Sequence, residues 1–145
     1  MKTAIVYYSR HHGNTKKLID ALAAEQDITA IDAAEVSEAD LTPYDAVGFA
    51  SGIYYSKFHK SVLEFAEKNL PEGKPVFFLY TCGSAKDSYT KSIAEAVSRH
   101  RAKVLGQFGC LGYDTFGPFK LVGGIAKGHP DEKDLEDVRR FFREL

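Results

Sequence analysis

The sequence predicts an α/β fold in which helices cover both faces of a parallel sheet. Short apolar runs, beginning with residues 4–8, recur along the chain and are typical of buried strands. Each run is followed by a polar connection or by a segment with apolar residues at helical spacing. Strands that alternate with helices build parallel sheets, because each parallel connection has to cross back over the sheet.

The predicted elements follow one another without an internal repeat. Five strands are expected, at residues 4–8, 27–33, 45–51, 76–80 and 103–110. Four helices are expected, at residues 15–24, 59–69, 88–101 and from 129–132 to the end of the chain. Asn14 or Thr15 is the expected cap of the first helix, and Pro130 the expected first residue of the last. Residues 111–128 are rich in Gly and predicted to be irregular.

The composition indicates one globular domain. A chain of 145 residues is long enough for a single core, so residues 1–145 are expected to form one domain. No apolar run is long enough to span a bilayer, and the first residues lead directly into a strand rather than a signal peptide. We therefore expect a cytoplasmic protein without stable membrane insertion, in which Cys82 and Cys110 are free thiols.

Charge and motifs argue against several functional classes. The formal net charge is −1, and no basic stripe with interleaved aromatics is present, which argues against nucleic-acid binding. The histidines and cysteines lack metal-ligand spacing, so no metal site is predicted. There is also no nucleophile elbow with the residues of a catalytic triad, and no catalytic side chain is predicted.

The most informative stretch is the first loop, residues 9–15, between the first strand and the first helix. Such a loop suits a phosphate, because the first-turn N–H groups and the positive end of the helix dipole face it. Ser9, Asn14 and Thr15 add side-chain donors. The glycine spacings of the dinucleotide and nucleotide-triphosphate motifs are absent, so a phosphate monoester is favoured. Lys16 and Lys17 follow, and they either face the phosphate or extend into solvent.

The residues around this loop resemble the FMN-phosphate loop of flavodoxins. They are Ile5, Val6, Tyr7, Tyr8, Ser9, Gly13, Asn14 and Thr15. The common form of that loop has Ser or Thr, two residues and then Gly-Asn-Thr, whereas Arg10, His11 and His12 precede Gly13 here. A similar loop, longer by one residue, occurs in the flavodoxin-like menaquinone-dependent protoporphyrinogen oxidases. The resemblance implies a three-layer sandwich with a five-stranded parallel sheet in the order 2-1-3-4-5.

The resemblance also implies FMN as the cofactor, bound at the carboxyl ends of strands one, three and four. Besides the first loop, the second loop (residues 51–58) and the third loop (residues 81–89) would contact it. The implied cofactor-binding residues are Ser9, Arg10, His11, His12, Gly13, Asn14, Thr15, Ser51, Gly52, Ile53, Tyr54, Tyr55, Thr81, Cys82 and Gly83. Backbone N–H groups of the third loop would meet the pyrimidine edge of the flavin.

Two neighbouring aromatic residues compete for the position beside the flavin ring. In flavodoxins an aromatic side chain after the third strand flanks this ring, and Tyr54 or Tyr55 matches that place. Adjacent side chains point in different directions, so one of the two is expected to contact the ring and the other to pack in the core. Tyr55 is our preferred candidate for the contact. Cys82 is interpreted as a small residue in a tight loop, because no resolving Cys is adjacent.

Other residues have less specific interpretations. Residues 112–120 are expected to form a lid over the outer face of the flavin or a surface for a partner. Alternatively, they pack as a cluster on the last helix. Tyr113 and Phe116 are the residues to test. His59 and His100 are expected on helix surfaces.

The resemblance implies an electron-transfer protein that serves redox partner proteins. The alternative is a two-electron flavin oxidoreductase acting on a small molecule such as a quinone or porphyrinogen. The longer first loop, the basic residues between Arg10 and Lys17 and the weak net charge favour the alternative, because positive groups favour the anionic reduced flavin. A receiver domain of the same fold is disfavoured because the third strand ends in Ala50 and Ser51 instead of an Asp.

Overall fold

A parallel sheet lies at the centre of the structure. The structure is a computed structural model, and it describes residues 1–10, 13–83, 87–112 and 128–145. Its strands are β1 (Thr3–Tyr8), β2 (Ile28–Asp32), β3 (Ala46–Tyr54), β4 (Lys57–Phe58), β5 (Pro75–Cys82) and β6 (Lys103–Leu111). The strand order is β2-β1-β3-β5-β6, all parallel, with the two-residue β4 antiparallel to β3. This is the predicted order 2-1-3-4-5 with one short strand added, so the fold prediction is confirmed.

Helices cover both faces of this sheet. They are α1 (Asn14–Ala23), α2 (Lys60–Asn69), α3 (Lys91–Ser98) and α4 (Glu132–Arg143), with a short 3-10 helix at Asp87–Thr90 before α3. Helices α1 and α4 bury their apolar residues with Ile5 on one face. Helices α2 and α3 bury theirs with Ala4 and Val6 on the other. Among the helices described, none has the length and apolar character needed to cross a membrane.

The alternation along β1 explains how one strand serves two cores. Ala4 and Val6 point to the α2–α3 side, and Ile5 and Tyr7 point to the α1–α4 side. All four side chains are buried, and for this reason the sequence of the strand is a continuous apolar run.

Several predicted element boundaries were wrong by a few residues. Strand β3 continues three residues past the predicted end at residue 51, because it turns into a hairpin with β4. Strand β5 continues to Cys82, where it still pairs with Leu111 of β6. The third helix begins later than predicted because residues 87–90 adopt a 3-10 conformation, and it ends earlier, at Ser98.

The predicted cap of the first helix and the predicted first residue of the last helix were also wrong. The cap of α1 is Gly13, whose φ of 65° is the left-handed conformation that glycine adopts without strain. The cap of α4 is Asp131, so Pro130 lies before the cap and not inside the helix. Asp131 and Asp134 form a reciprocal capping box, and the Nδ1 atom of His129 lies 2.7 Å from Asp134 Oδ2. This contact raises the pKa of His129.

Two glycines leave room for aromatic rings from the neighbouring strand. Gly48 pairs with Phe77, and Gly109 pairs with Tyr80. A Cβ atom at Gly109 would lie 2.1 Å from the Tyr80 ring, and one at Gly48 would lie 2.5 Å from the Phe77 ring. Each ring therefore occupies the space that a side chain on the neighbouring strand would fill.

Replacing Gly109 with Ala is expected to lower the free energy of unfolding by about 2 kcal/mol, because an added methyl group overpacks a filled core. Thermal unfolding followed by far-UV circular dichroism measures this change. Lys103→Ala is the control, since Lys103 is an exposed residue of the same strand. Equal melting temperatures for Gly109→Ala and the unaltered protein would contradict the packing described.

Candidate functional site

The three predicted loops begin side by side at one edge of the sheet. Tyr8 at the end of β1 pairs with Ser51 of β3, and Gly52 of β3 pairs with Thr81 of β5. The register of the central strands therefore brings together the segments that the sequence identified as candidate binding loops. Ligands of open parallel sheets bind at this carboxyl edge.

The first loop ends at the start of α1, and Ser9 ties its two ends together. The Oγ atom of Ser9 accepts a hydrogen bond of 3.0 Å from the backbone N–H of Lys16. The Gly13 carbonyl accepts from the N–H of Lys17 at 3.2 Å. The first turn of α1 thus faces the loop with its positive dipole end, which is the arrangement that binds anions. His11 and His12 lie outside the described residues.

A buried pair of hydroxyl groups connects the first loop to the third. Thr15 Oγ1 lies 2.8 Å from Thr81 Oγ1, and the two residues are 1% and 3% exposed. Asn14 is also buried and lies against Gly112, where a Cβ atom would come within 2.7 Å of Asn14 Nδ2. Gly112 begins the stretch considered as a lid, but its contact with Asn14 was not predicted, because nothing in the sequence indicates which backbone Asn14 approaches.

Two basic residues at or beside the first loop, Arg10 and Lys16, are paired with carboxylates. Arg10 contacts Asp32 at the end of β2 at 3.3 Å and lies over the Tyr8 ring, 5.2 Å from its centroid. Asp32 raises the pKa of Arg10. Lys16 pairs with Asp20 one helical turn later at 2.5 Å, whereas Lys17 is exposed. The positive charge expected here is therefore partly neutralised by the chain itself.

The second loop is a β-hairpin. Tyr55 and Ser56 form its turn with φ values of 52° and 66°, and Tyr54 pairs with Lys57 across it. Two left-handed residues between antiparallel strands match the twist of the strands. Tyr55 is 83% exposed at the tip, whereas the Tyr54 ring folds back against Gly52.

The hairpin turn (Tyr55 and Ser56) could not be recognised from the sequence. It lacks the Asn-Gly or Asp-Gly pair that usually marks such a turn.

Three rings meet below the hairpin, and we call them the aromatic cluster: Tyr8, Tyr54 and His59. The Tyr8 and His59 rings stack with centroids 3.6 Å apart and an interplanar angle of 3°. The edge of Tyr54 faces both, at 5.7 Å from Tyr8 and 5.2 Å from His59. The prediction that His59 is a surface helix residue was wrong, because it caps α2 and its Nδ1 atom accepts from the N–H of Ser61.

The remaining predicted site residues lie at the ends of β3 and β5. Ser51 is buried, and its Oγ atom accepts from the backbone N–H of His59 at 3.0 Å. Ile53 is half-buried and pairs with Phe58, whose side chain is in the core. Gly83 follows β5 and is half-buried, and residues 84–86 lie outside the described part of the chain.

Both cysteines are buried and lie on opposite faces of the sheet. Cys82 belongs to the core under α2 and α3, and Cys110 to the core under α1 and α4. The Cys82 thiol donates to the Cys110 carbonyl at 3.6 Å, and burial raises the pKa of Cys110 well above its usual range. These surroundings suit packing thiols, although Cys82 is the last residue of β5 and does not lie in the tight loop expected from the sequence. The residues Tyr113 and Phe116, for which a lid was considered, lie outside the described residues.

Comparison with known proteins establishes the family. A family model described as a flavodoxin domain matches residues 5–121. A protein of Methanocaldococcus jannaschii, itself named as uncharacterised, is 36% identical over 147 residues and is covered over 98% of its length by the whole of this chain. The chain belongs to the flavodoxin family.

Solved structures agree with this fold. A flavodoxin from the domain Archaea superposes with a TM-score of 0.70 at 22% identity, over 95% of this chain and 92% of that chain. The flavodoxin of Fusobacterium nucleatum, solved bound to flavin mononucleotide, superposes with a TM-score of 0.64 at 14% identity, over 99% of this chain and 98% of that chain. At such identities the likeness establishes the fold.

The hydroxyl pair that joins the first and third loops gives a direct test of the geometry. Thr15→Val or Thr81→Val is expected to lower the free energy of unfolding of the ligand-free protein by about 1–2 kcal/mol, because each leaves a buried hydroxyl group without its partner. The double variant is expected to cost less than the sum of the two, since both polar groups are removed together. Urea unfolding measures all three. Thr29→Val removes an exposed hydroxyl group as the control, and strictly additive effects would contradict the contact.

Proposed function

We propose that this protein binds FMN at the carboxyl ends of β1, β3 and β5 and transfers electrons in the manner of a flavodoxin. The observation that carries the proposal is the buried contact between Thr15 and Thr81, which fixes the start of α1 against the third loop. A helix N-terminus held at that edge of the sheet is suited to a phosphate group. A family member of the same fold, from Fusobacterium nucleatum, is described as bound to flavin mononucleotide.

The FMN phosphate is proposed to lie in the first loop. The candidate donors there are the hydroxyl groups of Ser9 and Thr15, the side chain of Asn14 and the backbone N–H groups at the start of α1, among which that of Lys16 already donates to Ser9 Oγ. A phosphate dianion would be favoured by the positive end of the helix dipole, and Lys16 lies in the same turn. Arg10, His11 and His12 complete the proposed loop, and Gly13 gives it the left-handed backbone that the start of α1 requires.

The flavin ring is proposed to lie between the hairpin and the third loop. The exposure of Tyr55 supports it as the stacking residue, because the Tyr54 ring is already packed against Gly52 and Tyr8. Ser51, Gly52 and Ile53 would line the site from β3. Thr81, Cys82 and Gly83 would line it from β5, with backbone groups at the pyrimidine edge of the flavin.

Bound FMN would supply the redox chemistry, since it exchanges one or two electrons. The side chains around it hold the ring, exclude water and adjust its potential through hydrogen bonds and charge. Arg10 and Lys16 are each paired with a carboxylate, which weakens the argument from local positive charge for a two-electron oxidoreductase. We therefore favour electron transfer with redox partner proteins. We also propose that the chain forms one domain and that the protein is cytoplasmic.

An anaerobic redox titration of the FMN-reconstituted protein tests this proposal. We expect tight binding of FMN and two separate one-electron steps in the absorbance spectrum. A single two-electron step at higher potential would contradict electron transfer between proteins and support the oxidoreductase that acts on a quinone or porphyrinogen. A purified protein that is colourless and takes up no FMN would overturn the cofactor assignment itself.

The choice between the two tyrosines can be measured by flavin fluorescence. Tyr55→Ala is expected to increase the fluorescence of bound FMN and to weaken its affinity by roughly threefold to tenfold, because ring stacking and its quenching are lost. Tyr55→Phe is the matched control and is expected to retain the quenching. If Tyr54→Ala raises the fluorescence and Tyr55→Ala does not, the assignment of the stacking residue is wrong.

A further inference from the structure

The aromatic cluster joins three elements that the proposed site depends on. Tyr8 ends β1, Tyr54 ends β3, and His59 caps α2. The His59 ring is stacked on Tyr8 and faces the edge of Tyr54, while its backbone N–H donates to Ser51 Oγ. His59 therefore contacts the end of β1, contacts the end of β3 and caps the start of α2.

We propose that His59 in its neutral form is a positioning residue for the flavin, which holds the hairpin turn in place and releases it on protonation. This inference deepens the proposed function and rests on it, because the hairpin turn carries the residue proposed to stack on FMN. No contact between His59 and the cofactor is required.

The hairpin needs such support because it is short and its turn is unfavourable. Strand β4 has two residues, which form two pairs with β3. Tyr55 and Ser56 both have positive φ values, a conformation that non-glycine residues adopt at a cost. A hairpin of this length is marginally stable alone, so contacts outside it must hold its geometry. The described contacts include the buried Phe58 and the side chain and backbone of His59.

The contacts of His59 are compatible with one protonation state. Its Nδ1 atom accepts from the Ser61 N–H at 3.1 Å and lies 2.8 Å from Ser61 Oγ. An Nδ1 atom that accepts a hydrogen bond carries no proton, so the imidazole proton is on Nε2. A second proton would have to go on Nδ1, and the cap of α2 would be lost.

The surroundings of His59 favour the neutral form. Burial lowers its pKa, and the positive charge of Lys60 lowers it further. Arg10, at the end of β1, acts in the same direction, whereas Glu64 on α2 opposes it. Within residues 1–10, 13–83, 87–112 and 128–145, the other titratable groups that contact the ring are the phenols of Tyr8 and Tyr54.

The sign of the pH effect follows from this direction. A histidine with a lowered pKa in the folded state contributes stability that is present above its ordinary pKa of about 6.5 and is lost as the pH falls through the lowered value. Protonation of His59 is therefore expected to free the hairpin and weaken FMN binding on the acid side of neutrality.

Two substitutions separate the two roles of the side chain. His59→Asn keeps a good helix cap and removes the ring, whereas His59→Phe keeps a ring for Tyr8 and removes both the cap and the titration. His100→Asn is the matched control. His100 lies beside the start of β6, at the opposite end of the sheet, where its Nε2 atom contacts the Glu67 carbonyl.

The first measurement uses the protein without FMN. Amide hydrogen exchange by NMR at residues 54–58 is expected to be roughly fivefold faster in His59→Asn, as the loss of one aromatic stack implies, and unchanged in His100→Asn. In the unaltered protein, the hairpin amide signals are expected to shift with the same midpoint as the His59 ring. A His59 ring that titrates without any change in the hairpin amides would overturn the inference even if a variant failed to fold.

The second measurement adds FMN across the pH range. The unaltered protein and His100→Asn are expected to lose affinity as the pH falls below about 6.5. His59→Phe is expected to lose less, because only the protonation of groups other than His59, such as the FMN phosphate with its pKa of about 6, then remains. His59→Asn is expected to bind FMN roughly fivefold more weakly above that pH. Equal affinity and an identical pH profile in all four proteins would overturn the positioning role.

The two measurements distinguish failure of the inference from failure of the proposed function. If the unaltered protein takes up no FMN but its hairpin amides follow His59, the cofactor proposal fails and the coupling of His59 to the hairpin stands. If FMN binds tightly and the hairpin amides do not change when His59 is protonated, the cofactor proposal stands and this inference fails.

Discussion

The parallel pairing of β1, β3 and β5 is the constraint on which the rest of the structure depends. These strands are buried on both faces, and their register places Tyr8 beside Ser51 and Gly52 beside Thr81. A slip of one residue would exchange the two cores, because alternate side chains point to opposite faces. The same register that separates the cores therefore also aligns the three segments of the candidate site.

The sequence predicted the fold well and identified three segments that the structure brings together, for identifiable reasons. The buried strands are continuous apolar runs, and the helices between them have clear apolar spacing, so element types and order could be recognised. Ser9, Gly13 and Thr15 lie in one short segment that runs from the end of a strand into the first turn of a helix, where local pattern is sufficient. Boundaries were less accurate, because the extension of β5 to Cys82 depends on pairing with a strand that lies far away in the sequence.

Two of the features that were missed depend on contacts between residues that are separated in the sequence. His59 looked like a helix surface residue, since neither its stack on Tyr8 nor its bond with Ser51 leaves a pattern along the chain. The pairing of Arg10 with Asp32 was missed for the same reason, because they lie on neighbouring strand ends and 22 residues apart. The hairpin turn was missed because Tyr55 and Ser56 are uncommon in the left-handed conformation.

The contact between His129 and Asp134 has a consequence when it is set beside His59. Asp134 raises the pKa of His129, so that residue stabilises the start of α4 below about pH 6.5 and stops doing so as the pH rises through the raised value. His59 responds in the opposite direction. A single curve of global stability against pH therefore sums two opposing local responses. A flat curve near neutrality is compatible with a start of α4 that loosens as the pH rises and a hairpin that loosens as the pH falls.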